Sequence, residues 1–160
     1  MQLEDAIEKI RTKARANDPV ALQDALELTT LHPEEASAWL VLSYVHARSG
    51  HCEEAIADLN RAVAIAPEEP VLYFNRGRYS SELGMHTDAI SDYSRGIELC
   101  DVHNDDYYRS AFHFLKAYSH LRLGDKKSAL LDLSNVVGEN YSFWVDGMVT
   151  KKQLLSQCDA

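Results

Sequence analysis

The sequence has no excess of cationic side chains and no long apolar run. Its 16 Lys and Arg residues stand against 25 Asp and Glu, which gives a formal net charge of −9. Binding to DNA or RNA rests on clustered cations, so nucleic acid is not an expected partner. No apolar stretch approaches the roughly 20 residues that a membrane-spanning helix needs, so no membrane partner is expected either.

Paired cysteines are also missing. Cys52, Cys100 and Cys158 are an odd number, lie far apart and form no CxxC pair. This favours free thiols in a reducing compartment over a disulfide framework. The first residues, MQLEDAIEKIRTKARAN, mix both charges and lack the apolar core of a secretion signal, so we expect a cytoplasmic protein.

Motifs for catalysis or metal binding are absent from the sequence. Neither GxxxxGK[ST] nor GxSxG occurs. His51 and Cys52 are adjacent, but a zinc site needs about four converging ligands. Cys100 and His103 lack an oxyanion motif beside them, and DVHNDD (101–106) lacks the glycine and distal Glu of an EF-hand loop. We therefore predict no catalytic residue, no metal site and no cofactor.

One pattern of residues recurs along the chain. The copies are EEAIADLNRAVAIAP (53–67), TDAISDYSRGIELCD (87–101) and KSALLDLSNVVGENY (127–141), with a further copy upstream, PVALQDALELTTLHP (19–33). From Ala55 to Ala89 the shift is 34 residues, and from Ala89 to Ala129 it is 40. Repeats of this length are typical of stacked helix pairs.

A second helical segment precedes each copy and ends in a glycine, at Gly50, Gly84 and Gly124. Glycine just beyond a helix takes the left-handed conformation that closes the last turn. Thr87 and Asp125 then follow as predicted N-caps of the next helix. Apolar residues recur every three or four positions throughout, which predicts helices, and no segment has the alternation of a strand.

The pattern resembles the tetratricopeptide repeat. Family positions are matched in the first repeat by Trp39, Leu42, Ala55, Leu59, Ala62 and Pro67, in the second by Tyr73, Gly77, Ala89, Tyr93 and Gly96, and in the third by Ala117, Ala129 and Leu133. The resemblance implies an all-α, right-handed solenoid of antiparallel helix pairs with a C-terminal capping helix. The expected single domain over 1–160 comprises a degenerate pair (1–35), repeats at 36–69, 70–103 and 110–141, and the cap (142–160).

Some positions depart from the family pattern. Arg76 and Lys116 replace a buried leucine, and His46, Ser80 and His120 stand where the family favours tyrosine. The terminal proline is absent from the second and third repeats. Six extra residues within CDVHNDDYYRS predict a longer loop or a lengthened first helix between these repeats. In the cap, apolar side chains that we expect to be covered are Phe143, Trp144, Met148, Leu154 and Leu155.

In the family, the first helix of each repeat lines a concave, ligand-binding surface. The aromatic, arginine and amide residues that the resemblance places there are Tyr44, Arg48, Phe74, Asn75, Arg78, Phe114, Tyr118 and Arg122. Aromatic and arginine side chains dominate the energy of many interfaces. A family subtype grips chaperone C-termini with a Lys and two Asn, but Leu40 and Tyr44 stand at two of those positions here, which argues against that role.

The resemblance therefore implies a non-catalytic module that binds a protein or extended peptide, as an adaptor or a secretion-type chaperone. An immunity protein that masks a toxin, for example a basic nuclease, is the alternative, and an enzyme is the outside one. A partner contacting the insert around Asp105 or the convex face would favour immunity. The sequence leaves the oligomeric state open.

Enlarging a small residue of the repeat tests the repeat alignment. Ala89→Leu should destabilise the fold by about 1–3 kcal/mol, because extra methylenes overpack a close helix crossing. Urea denaturation measures the change, and an unaltered midpoint would show that the alignment of repeats is wrong.

Overall fold

The computed structural model describes residues 2–103, 108–145 and 147–159. The chain separates into two compact units, Met1–Leu72 and Tyr73–Ala160. Within the described residues nearly all regular structure is helical, and the expected all-α class of antiparallel helix pairs is confirmed. That these units form one domain stays a prediction. No described helix is both long enough and apolar enough to cross a bilayer.

The first unit contains two helix pairs. They are α1 (Leu3–Arg15), α2 (Val20–Leu31), α3 (Ala36–Arg48) and α4 (Cys52–Ile65). Apolar faces of α1, α2 and α3 meet in a core that includes Ile7, Ile10, Ala25, Leu28, Val41 and Leu42. The predicted degenerate pair is therefore a packed element of the fold. Pro19 stands at the N-cap of α2, and Asp18 before it accepts a hydrogen bond from the amide of Val20 at 2.9 Å.

The second unit has two further helix pairs and a C-terminal extension. Its elements are α5 (Pro70–Glu82, which begins in the first unit), α6 (His86–His103), α7 (Arg109–Arg122), α8 (Lys126–Ser134), β1 (Ser142–Trp144), β2 (Met148–Thr150) and α9 (Lys151–Asp159). Its core includes Tyr93, Phe112, Phe114, Leu133 and Leu154.

The turns inside the repeats have the predicted chemistry. Gly50, Gly84 and Gly124 all have positive φ, from 76° to 81°, and in each turn the next amide donates back to a carbonyl in the last helical turn at 2.8–3.0 Å. This is the hydrogen-bond pattern of a Schellman C-cap. The N-cap at Asp125 is confirmed, with its carboxylate 3.0 Å from the amide of Ser128. The predicted N-cap at Thr87 is wrong, since α6 already begins at His86.

Small residues allow helices to approach closely within each unit. Ala55, Ala89 and Ala129 are fully buried, as the repeat alignment predicted. A Cβ atom on Gly96 would lie 2.2 Å from the ring of Phe112, and one on Gly77 would lie 2.6 Å from the ring of Tyr93. Both distances are far below van der Waals contact, so only glycine fits against these rings.

The predicted capping helix over 142–160 is wrong in its first half. Residues 142–150 contain two antiparallel strands, paired Ser142 to Thr150, Phe143 to Val149 and Trp144 to Met148. Side chains in β1 alternate between exposed and half-buried, which is a strand period that the helical interpretation of this segment overlooked. Trp144 and Met148 are 65% and 59% exposed, so they are not covered as expected. Among the C-terminal elements, α9 caps the core, through Leu154.

The lengths of two second helices also differ from the repeat pattern. The helix α6 continues to His103, whereas α4 ends at Ile65, just before Pro67. Proline disfavours helical conformation in the residue before it, and Asp101 in the second repeat imposes no such stop. The additional residues thus lengthen a second helix, while residues 104–107 of the insert lie outside the described part of the chain. In the third repeat, α8 is short and ends at Ser134.

Removal of the C-terminal elements tests their structural role. A chain cut after Asn140 loses α9, and therefore Leu154, which is buried against α7 and α8. We expect a lower melting temperature and aggregation, because a large apolar face becomes exposed. Calorimetry and light scattering measure both effects. A chain cut after Ser156 keeps Leu154 and is the control; equal behaviour of the two chains would contradict the capping role.

Candidate functional site

The eight predicted binding residues lie on first helices of the repeats, in both units. The α3 helix carries Tyr44 and Arg48, α5 carries Phe74, Asn75 and Arg78, and α7 carries Phe114, Tyr118 and Arg122. Their side chains differ widely in exposure, from the exposed Arg48 and Arg122 to the fully buried Phe114. Side chains predicted to line the same surface therefore differ in how far they are exposed to solvent.

In the first unit, Tyr44 and Arg48 lie four residues apart on α3 and so share a face of that helix. Tyr44 is half-buried against the core, and exposed Arg48 donates from Nη2 to Oδ1 of Asn17 at 3.3 Å. Arg15 on α1 contacts Glu8 at 3.1 Å, and its hydrogen bond with Glu8 raises the pKa of its guanidinium. An exposed guanidinium one turn from a phenol ring suits a carboxylate with apolar neighbours.

A cleft of about 270 Å³ also lies in this unit, between α1 and α2. Ile10, Leu28 and Leu31 line it, together with the ion pair of Lys13 and Asp24 at 2.6 Å. None of the eight predicted residues contributes to its lining. The ion pair is partly solvated, with the side chains of Lys13 and Asp24 38% and 31% exposed.

In the second unit, Phe74 is the centre of an aromatic cluster. Its ring centroid lies 5.3 Å from that of Tyr108, 5.8 Å from Phe112 and 5.9 Å from Phe143. The guanidinium of Arg78 lies 5.9 Å from the Phe74 centroid, within cation–π range. Four ring or cation neighbours make Phe74 a structural residue as well as a candidate contact.

The exposed position expected for Phe114 is wrong. Its side chain is fully buried, with ring centroids 5.3 Å from Tyr141 and 6.4 Å from Phe143. These two rings come from the C-terminal segment, which the sequence pattern assigned to a cap and not to this face. The remaining predicted residues of α7 are Tyr118, half-buried with its ring 6.3 Å from His86, and the exposed Arg122.

The C-terminal segment therefore covers part of the predicted surface. We define the α5–α7 face as Phe74, Arg78, Phe114, Leu115 and Tyr118, and the covering segment as residues 141–145. Burial alternates along the covering segment, with the odd-numbered residues half-buried and the even-numbered ones exposed. Aromatic and β-branched residues between Gly138 and Gly147 were the available sequence signal for a strand here.

Each complete repeat also contains a buried aspartate, which the sequence pattern showed only as a repeated residue. Asp58, Asp92 and Asp132 are 8%, 6% and 5% exposed. A basic side chain from the preceding helix contacts each of them. These contacts are His46 Nδ1 to Asp58 at 2.7 Å, Arg76 to both oxygens of Asp92 at 2.6–3.2 Å, and His113 Nδ1 to Asp132 at 2.9 Å, with Lys116 and His120 slightly farther.

These pairs account for four of the departures from the family pattern. Arg76, Lys116, His46 and His120 replace apolar or tyrosine residues, and all four contact a buried carboxylate. Burial raises the pKa of Asp58, and the hydrogen bond with His46 opposes that shift. The hydrogen bonds with Asp92 raise the pKa of Arg76. The aspartates and their basic partners thus join the two helices of each repeat. Because they are largely buried, we interpret them as structural contacts.

The other candidate metal-binding and nucleophilic residues of the described chain do not form a cluster. No three His, Cys, Asp or Glu side chains in ranges 2–102, 108–145 and 147–158 are arranged to hold a metal ion. Cys100 is fully buried, and Cys52 is half-buried at the start of α4. The side chain of His103 and residues 104–107, including Asp105, lie outside the described part of the chain.

The sequence is similar to known repeat proteins. Residues 2–70 match the tetratricopeptide repeat family model. The Hsp70-Hsp90 organizing protein of Triticum aestivum is 33% identical over 81 residues, which are 51% of this chain. The match covers only 13% of that protein's length, so the chain corresponds to a small part of it.

Several solved structures share the fold at low sequence identity. MamA has a TM-score of 0.73 at 18% identity, over 85% of this chain and 77% of that one. TTC0263, a thermophilic tetratricopeptide-repeat protein of Thermus thermophilus, scores 0.69 at 19% identity, over 86% and 73% of the two chains. The Yersinia enterocolitica type III secretion chaperone SycD, bound to a peptide of the translocator YopD, scores 0.67 at 16% identity, over 76% and 94%.

The pair of His46 and Asp58 yields a test of the buried contacts. In His46→Ala the buried carboxylate loses its partner, which should cost about 1–3 kcal/mol at neutral pH. Without His46 the pKa of Asp58 rises further above 3.8, since His46 lowers it. A raised carboxyl pKa means that the folded state binds the proton more tightly, so stability falls as pH rises through that pKa.

The deficit of His46→Ala relative to the wild type should therefore be larger at pH 7 than at pH 4. Urea denaturation at both pH values measures it. The control is His51→Ala, which removes an exposed ring near His46. Equal deficits at the two pH values, or equal effects of the two substitutions, would contradict a structural role for this pair.

Proposed function

We propose that this chain is a non-catalytic tetratricopeptide-repeat module that holds an extended segment of a partner protein on the first helices of its repeats. The observation that carries the proposal is the half-buried Tyr44 with the exposed Arg48 one turn later on the first helix α3. This arginine lies on a protein of net charge −9. An exposed cation beside an aromatic ring on an acidic protein favours partners that combine acidic and apolar side chains.

The predicted binding residues of the second unit extend the same chemistry. Arg78 is one-third exposed and its ion pair with Glu82, at 3.7 Å, is long. Exposed Arg122 lies on the next first helix, one turn beyond Tyr118. Arginine can exchange a loose partner for two parallel hydrogen bonds with a carboxylate. We propose that Asn75, Arg78, Tyr118 and Arg122 contact the partner.

The similar chaperone SycD supports a role of this type, because its structure holds a peptide of the translocator YopD. We propose a comparable adaptor or chaperone role in the cytoplasm for this chain. The similarity to the Hsp70-Hsp90 organizing protein does not lead us to propose chaperone-tail binding. Leu40 and Tyr44 stand where that clamp requires Lys and Asn.

An immunity protein is the second candidate. Trp144 and Met148 are paired across the hairpin and both are largely exposed, which creates an apolar patch beyond the first helices. Exposed apolar patches often mark contact sites. A toxin that covers this patch and leaves the arginine residues untouched would favour the immunity role over the chaperone role.

Charge reversal at the arginines tests the proposed function. A displayed library of random 12-residue peptides is selected on the wild-type chain, and the recovered peptides are titrated calorimetrically against Arg48→Glu and Arg78→Glu. We expect a loss of about tenfold or more in affinity, which is about 1.4 kcal/mol, since repulsion replaces an ion pair. Phe74→Ala is a poorer test, because its ring packs inside the fold.

The matched control is Arg61→Glu, an exposed arginine on the second helix α4. Arg48→Glu and Arg61→Glu should keep the wild-type melting temperature, whereas Arg78→Glu also loses its contacts with Phe74 and Glu82 and should melt slightly lower while staying folded. If peptides are recovered that bind every variant alike, the partner surface lies elsewhere and the proposed function on the first helices is wrong.

A further inference from the structure

The covering segment contacts the α5–α7 face through its odd-numbered residues. The ring of Tyr141 packs on Phe114, and the ring of Phe143 lies within 6.4 Å of both Phe114 and Phe74. Val145 follows and lines a small cavity with Arg78 and Leu115. Three side chains at alternate positions of one extended segment thus contact this face in order. This is the geometry by which an extended peptide is recognised through alternate pockets.

Ring contacts and the hairpin pairing are the main interactions that hold the covering segment in place. Each strand of the hairpin has three residues, and isolated two-stranded hairpins are marginally stable in water. The carbonyl of Tyr141 accepts a hydrogen bond from the amide of Lys151 at 2.8 Å, and Thr150 at the end of β2 pairs with Gln153 of α9. Leu154 anchors α9 separately in the core. The contacts of residues 141–145 with the face are therefore distinct from the anchor of α9.

The fit of the covering segment is also incomplete. A cavity of about 20 Å³ remains between Val145, Trp144 and the helices beneath. Tyr93 also lines this cavity, and its hydroxyl is buried without a hydrogen-bond partner among the described residues. A buried polar group without a partner costs stability. A segment that filled this space or supplied an acceptor would have an advantage over the chain's own residues.

We propose that the covering segment is an intramolecular ligand of the α5–α7 face, and that a partner displaces it with an extended segment bearing large apolar side chains at three alternate positions. The proposal rests on the proposed function and names the chemistry of the bound segment. The spacing, rather than apolar character alone, sets specificity, because a shift by one residue turns every side chain away.

The test uses the full chain and the peptide ENYSFWVDG, which has the sequence of residues 139–147. In the opened variant, Phe143→Ala and Val145→Ala together remove two inward contacts. If the face is covered in more than about nine-tenths of wild-type molecules, the opened variant should bind the peptide about tenfold or more tightly than the wild type. Fluorescence anisotropy of a labelled peptide measures both affinities.

Two controls are matched to this design. The variant Ser142→Ala with Met148→Ala alters exposed positions of the same hairpin, and it should bind like the wild type. The peptide ENYFSWVDG has the same composition but moves the phenylalanine by one position. It should bind the opened variant at least about tenfold more weakly than ENYSFWVDG, since its ring points away from the face.

Hydrogen exchange on the wild-type chain supplies a second measurement. Amides of β1 and β2 should exchange through an opening that leaves the amides of α7 protected, as a separately displaceable element requires. Exchange of the hairpin only together with α7 would overturn the proposal. A loss of helical circular dichroism in the opened variant would overturn it too, because the fold would then depend on the segment.

A folded opened variant that binds ENYSFWVDG no more tightly than the wild type would also overturn the proposal and make the hairpin a plain structural cover. The proposed function fails separately. Library peptides that depend on Arg48, which lies outside the second unit, would uphold it even if the opened variant gained nothing.

Discussion

Close approach of helices through small residues is the constraint on which the structure depends. Fully buried alanines recur in the second helices, and Gly77 and Gly96 face aromatic rings at distances that exclude any side chain. A ring against bare backbone buries a large apolar area with few voids, which makes the pairing of helices specific. The repeated Schellman turns then fix the chain reversals, and the first helices can present their other side chains.

Buried polar pairs also determine how the two helices of each repeat pack together. A buried carboxylate is costly unless a hydrogen-bonding or charged partner accompanies it. Here each buried aspartate has such a partner from the preceding helix, whether histidine, arginine or a group of basic residues. Arg76 stands where the repeat pattern has an apolar residue, and it pairs with the buried Asp92. These pairs therefore contribute to the stability of each helix pair.

The two units differ in what their first helices offer to a partner. In the first unit, Tyr44 shares a face of α3 with the exposed Arg48. In the second, the aromatic residues of α5 and α7 are already in contact with Tyr141 and Phe143. Under the proposed function, binding on the second unit would exchange one apolar segment for another, whereas the first unit would offer polar contacts directly.

The sequence by itself determined the helix pairs, the glycine turns and the buried alanines, because these follow from local periodicity and backbone conformation that neighbouring residues impose. It also placed Tyr44, Arg48 and Arg78 on first helices. It could not reveal the partners of Asp58, Asp92 and Asp132, since those contacts join residues 12 to 19 positions apart across a turn. Nor could it decide between helix and strand for residues 142–150. That choice depends on the aromatic surface of α5 and α7, which exists only once the tertiary structure has formed and which favours an extended segment with alternating contacts.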